Sequence, residues 1–169
     1  QNAGFQFYVK MPNSGTYYEK LNLVADGQEW FNNQGLTLYL QGKNFAWQPL
    51  WHSHSTGTAN IPRNTEFTLT VKVKNTGALP WSKNSGPPIR LATVEPLDRG
   101  SALYTSSWIR DTRPASLIED NVNPGEEGTF IFTARTPNVP GSRVERFSVV
   151  AEGYTWLNDP GFNIYVNVL

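Results

Sequence analysis

Cysteine is missing from this sequence of 169 residues. Neither disulfides, thiol chemistry nor a cysteine-ligated zinc site can hold or operate it, so its fold stands on an apolar core alone. No Asn-x-Ser/Thr sequon occurs, although asparagine is abundant, which argues against a eukaryotic secreted protein and leaves a bacterial surface protein or a cytosolic one. Runs of like charge are missing too: 14 basic residues balance 14 acidic ones, so electrostatics gives no reason to expect nucleic acid or an anionic membrane as partner. No apolar run approaches the roughly 20 residues of a membrane span, and the first residues lack a basic-then-apolar signal pattern. The sequence begins at Gln1 without a methionine, which is read as the removal of something upstream.

Helical periodicity is also missing, and short runs bounded by Gly, Pro and Asn take its place. FQFYVKM at 5–11, YYEKLNLVAD at 17–26 and LTLYLQ at 36–41 predict three strands, with a tight hairpin link at Pro12-Asn13-Ser14-Gly15. Residues 43–60 are rich in Ser, Thr, Gly and Asn and are read as a boundary that includes a first strand over 45–54. In EFTLTVKVKN at 66–75, Phe67, Leu69, Val71 and Val73 alternate with Thr68, Thr70, Lys72 and Lys74, the pattern of a half-buried strand. Further short strands are expected at 88–93, 115–119 and 129–135, around an irregular stretch from Val94 to Pro114. Many short strands at turn-punctuated spacing predict an all-β, two-sheet antiparallel sandwich.

One segment occurs twice. Residues 5–41 match 130–167 with one residue of slack after Pro12 and Pro137, pairing Phe5 with Phe130, Phe7 with Phe132, Glu19 with Glu145, Gly27 with Gly153, Trp30 with Trp156 and Asn32 with Asn158. Aromatic, glycine and acidic positions recurring in one order are a repeat signal. Residues 1–42 are therefore expected to form the C-terminal half of a repeat, and 61–169 the remainder of a complete one beyond the 43–60 boundary. Three strands alone would leave Phe5, Phe7, Val9, Leu21, Leu23, Leu36 and Leu38 exposed. The complete domain, an upstream piece or a neighbouring molecule is expected to cover them, the last giving head-to-tail assembly.

Several constellations carry a functional reading beside a bland one. Asp98, Arg99, Arg110, Asp111 and Arg113 suit a pocket for an anion, since guanidiniums grip carboxylates in a bidentate fork, but internal pairing of an irregular loop is favoured. His52 and His54 fall on one side of a strand as two metal ligands would, yet no third ligand is evident, and an exposed linker is preferred. Phe45, Trp47, Trp51 and Tyr39 gather rings near the boundary, suited to stacking on sugars or anchoring a protein, with an interdomain contact favoured over either. Glu19 and Glu145, like Asp26 and Glu152, occur once per repeat, which fits carboxylates accepting backbone or indole N–H bonds. No nucleophile elbow or paired-carboxylate motif marks an enzyme, and no cofactor is expected.

NTGALPW at 75–81, IRLATVEPLDR at 89–99, SSWIRDTRPASL at 106–117, VNPGEEGTFIF at 122–132 and FSVVAEGYTWLNDPG at 147–161 together resemble a known family. It is the FW domain, an immunoglobulin-like domain with four characteristic tryptophans known from a eukaryotic selective-autophagy receptor, and the blocks are closer to its bacterial relatives. Trp81, Trp108 and Trp156 match the pattern, with Trp47 or Trp51 as the fourth. The bacterial relatives occur as repeats in secreted and cell-wall-associated proteins, sometimes beside peptidoglycan hydrolase domains. The resemblance thus implies a non-enzymatic structural or adhesive element at the bacterial cell surface, partnered by protein, either itself or an adjacent repeat. A cell-wall glycan-binding module is the alternative, and a cytosolic interaction domain the third reading. Asp98, Arg99, Arg113, Glu152 and Gly153 fall within the matching blocks and are assigned a structural role.

Overall fold

The computed structural model describes residues 4–10, 15–32, 35–158, 160 and 162–169. Every regular element among them is a β-strand, so the chain is all-β, as the alternating patterns predict. It divides into two units, Gln1–Asn44 and Phe45–Leu169.

In the first unit, β1 (Gly15–Leu21) runs antiparallel to β4 (Leu36–Gly42), and β2 (Val24–Ala25) pairs with β3 (Glu29–Trp30) across a turn at Gly27. Gly27 adopts φ 74°, a left-handed conformation open to glycine at no steric cost. The run expected as one strand over 17–26 breaks at Asn22, whose carboxamide donates to the Phe31 carbonyl at 3.1 Å and accepts the Leu23 N–H at 2.9 Å. Residues 4–10 form no strand, contrary to the alternation in FQFYVKM, and Met11 and the proposed hairpin link at 12–14 lie outside the described residues. An extended run becomes a strand only when a neighbour completes its ladder. The equivalent run in the second unit has such a neighbour.

That second unit contains β5 (Trp47–His54), β6 (Asn60–Ile61), β7 (Glu66–Asn75), β8 (Trp81–Ser82), β9 (Ile89–Thr93) and β10 (Ala115–Ser116). After these come β11 (Asn121–Val122), β12 (Glu127–Arg135), β13 (Gly141–Ala151), β14 (Thr155–Trp156) and β15 (Phe162–Val168). One sheet has the order β12-β7-β5, the other β10-β9-β13-β15-β6 with β14 paired to β13, and β8 and β11 form a separate pair. All pairings are antiparallel except β6 on β15. Phe67, Leu69, Val71 and Val73 of β7 are buried while Thr68, Thr70 and Lys72 are half-buried. The two sheets face each other through rings: Phe132 meets Phe147 at 5.7 Å and Trp47 meets Phe162 at 6.1 Å, both edge-on. Gly128 sits where a Cβ would come within 2.9 Å of Leu117 Cδ2 and 3.3 Å of Trp81 Cζ3.

The two copies of the repeated segment share one strand register. Gly15 opposite Gly42 becomes Gly141 opposite Val168, and Leu21 opposite Leu36 becomes Phe147 opposite Phe162, every pair displaced by 126 positions. The corner follows the same shift, Val24 opposite Trp30 becoming Val150 opposite Trp156. Gly153 repeats the left-handed turn of Gly27, with φ 73°.

Candidate interaction surfaces

The irregular stretch between β9 and β10 closes around Arg113. Its guanidinium donates to Glu152 Oε1 at 2.6 Å, to Asp98 Oδ1 and to the Thr112 carbonyl at 3.0 Å, and lies 5.1 Å over the Trp156 ring. Arg90 and Arg110 approach Glu152 at 3.5 and 3.6 Å. Arg99 ties the same stretch to β13, its Nη2 2.7 Å from Glu145 Oε2 while its Nε donates to the Val94 carbonyl at 3.1 Å. Buried arginines need this many acceptors, because an unpaired cation away from water is costly. Asp98, Arg99 and Arg113 are thus spent internally, as the favoured reading of the loop expects. Glu145 and Glu152 take guanidiniums rather than the backbone or indole N–H groups expected of them. Sequence spacing did not join these pairs, since the partners lie 46 and 39 positions apart, Arg99 to Glu145 and Arg113 to Glu152.

The rings near the boundary do not form one exposed row. Trp47 is only 1% exposed and belongs to the core of the second unit, donating its indole N–H to the Asn158 carbonyl at 2.5 Å. Asn158 Oδ1 also accepts the Trp47 backbone N–H at 2.9 Å, and its Nδ2 donates to the Trp47 carbonyl at 3.2 Å. Trp47 is therefore a core residue of the second unit and offers no platform for a sugar. Its burial groups it with Trp81 and Trp108 in the core, Trp156 being half-buried, whereas Trp51 is 50% exposed on the edge strand β5. Phe45 is partly buried against Tyr154, with ring centroids 5.8 Å apart. Trp108 donates to the Thr133 carbonyl at 2.6 Å.

His52 and His54 lie on β5 rather than in an exposed linker, with rings 5.6 Å apart and each edge-on to a core phenylalanine, Phe162 or Phe67. Burial first, and the neighbouring His54 second, push the His52 pKa below its ordinary value. No group of three or more His, Asp or Glu that would suit a metal occurs among the described residues. No helix of the described residues is long and apolar enough to cross a membrane.

The first unit carries a different surface. Phe5, Phe7, Leu21, Leu23, Phe31 and Leu36 line a concavity of about 910 Å³. Phe5 is 73% and Leu36 57% exposed, whereas their counterparts Phe130 and Phe162 are 0% and 6% exposed. The opposite face of the hairpin is alike in both copies: Tyr18 and Tyr39 are exposed, as are Val144 and Tyr165. Leu38 is half-buried. No protein-family model matches this chain, and no curated protein matches it.

Proposed function

We propose that this chain is a non-enzymatic structural or adhesive element of a bacterial surface protein, built from repeated immunoglobulin-like units of the four-tryptophan kind. The observation that carries the reading is the shared register of the two hairpins. A unit used twice with the same ladder, corner and turn suits a modular scaffold, in which each copy needs only to fold and join its neighbours. The β6 strand, paired parallel to the last strand while β5 lies in the opposite sheet, agrees with an immunoglobulin-like sandwich. Trp47, Trp81, Trp108 and Trp156 supply the four tryptophans. Protein, as itself or an adjacent repeat, is the partner this reading calls for, and the location is extracellular.

Antibodies against the chain should label intact cells that make it, and brief treatment with an external protease should remove the label. Label that requires permeabilised cells would overturn the surface location. One observation favours a second reading, a wall-glycan module: Trp51 presents an exposed ring on an edge strand, a shape suited to stacking on a sugar face. Co-sedimentation with purified peptidoglycan that Trp51→Ala abolishes would favour it over the scaffold.

A further inference from the structure

We propose that the exposed face of the first unit is a docking site for a β-segment with the chemistry of residues 45–129, bearing one tryptophan and two arginines at the positions of Trp47, Arg99 and Arg113. The second unit is the template. There, the residues equivalent to Phe5, Phe7, Leu21 and Leu36 are Phe130, Phe132, Phe147 and Phe162, all buried in one core with β5, β7 and β9.

The polar positions name the occupant more sharply than the apolar ones. Glu145 is buried on Arg99, Glu152 and Trp156 hold Arg113, and Asn158 brackets Trp47. In the first unit the same positions hold Glu19, Asp26, Trp30 and Asn32, and all four are exposed. A carboxylate at an inward strand position is costly to cover with apolar groups alone and is neutralised by a guanidinium. Of the inward positions Tyr17, Glu19, Leu21, Leu36, Leu38 and Leu40, only Glu19 is charged, so charge complementarity calls for an arginine across the interface.

A second copy of this chain fits less well. Residues 1–169 hold two segments of the 5–41 kind and one of the 45–129 kind, so exchange of these residues among copies leaves one face per copy uncovered. Two such faces laid on each other would offer Glu19 no arginine, since none stands at an inward position of the hairpin. The proposal rests on the shared register and not on a surface location, so a cytosolic protein would leave it standing.

The test places residues 45–129 directly before Phe5 of the full chain, reproducing the Thr129–Phe130 junction. The expected result is that backbone amides of β1 and β4 exchange more than about tenfold slower than in the unextended chain, with hydrophobic-dye binding lost. Arg99→Met in the added segment alone should weaken this protection, and Glu19→Gln should weaken it similarly. As a second arm, a polypeptide of residues 45–129 titrated onto the native chain should slow the same amides, so an extended protein that aggregates does not end the test. Unchanged exchange in both arms overturns the proposal. So does a native chain that is already dimeric with β1 and β4 protected, which would make a second copy the occupant.

Discussion

Glu152→Gln removes one charge from beside a guanidinium that water barely reaches. The Arg113 side chain is 3% exposed, against 18% for Glu152 and 51% for Asp98, so its two carboxylate partners differ in what their loss leaves behind. Without Glu152, Arg113 keeps Asp98 as its one carboxylate partner, and Arg90 and Arg110 lose their shared counter-charge as well. Breaking a buried pair so that a charge is left uncompensated costs about 3–5 kcal/mol. One carboxylate survives here, so about 2 kcal/mol is the expected cost. Asp98→Asn removes a half-solvated partner, for which exposed pairs give about 0–1 kcal/mol. In urea denaturation at pH 7 followed by circular dichroism, a slope of about 2 kcal/mol per molar turns these into a midpoint lower by about 1 M for Glu152→Gln and less than half that for Asp98→Asn. Salt at 0.5 M should shrink the Asp98 effect and hardly touch the other, because buried pairs are screened less. Equal losses for the two variants, or loss of both effects in salt, would refute the assignment of Arg113 as a buried hub.

Gly128→Ala drives a methyl group to within 2.9 Å of Leu117 Cδ2, and overpacking of this kind costs about 1–3 kcal/mol, read as a lower thermal midpoint. Combining it with Leu117→Ala should cost less than the sum of the two single changes. His52 binds its proton less readily in the fold than unfolded, so its contribution is present above the ordinary pKa of 6.5 and lost as pH falls from there toward the depressed folded value. His52→Gln should flatten that part of the thermal midpoint against pH profile.

The all-β architecture was legible because alternation in 66–75 and turn residues at each break are local signals, and the recurrence of Glu19, Gly27, Trp30 and Asn32 in one order could be read from the sequence itself. What the identities meant could not. A repeated glutamate or asparagine looks like a local cap, and only the fold brings Arg99 to Glu145 and Trp47 to Asn158 across the sandwich. The burial of Trp47 beside the exposure of Trp51 illustrates the same limit, since both are tryptophans on one strand and β5 carries a register shift between Pro49 and Trp51. Residues 4–10 show the converse: their pattern is that of a strand, but a strand is a property of two chains of backbone, and a sequence pattern describes one.

The parallel pairing of β6 with β15 also has a mechanical side. The chain enters the second unit at Trp47, beside Asn158, and its last strand ends at Val168, beside Ile61, so entry and exit lie at opposite ends of β15. A pull on the chain at Trp47 reaches β5 first, and β5 is held to β7 by an antiparallel ladder from Trp47 opposite Asn75 to His54 opposite Leu69. β6, held to β15 by the pairs Asn60–Asn167 and Ile61–Val168, bears load only after that ladder gives way, and its parallel pairing then sets those bonds in shear, not opened one at a time as a hairpin is unzipped.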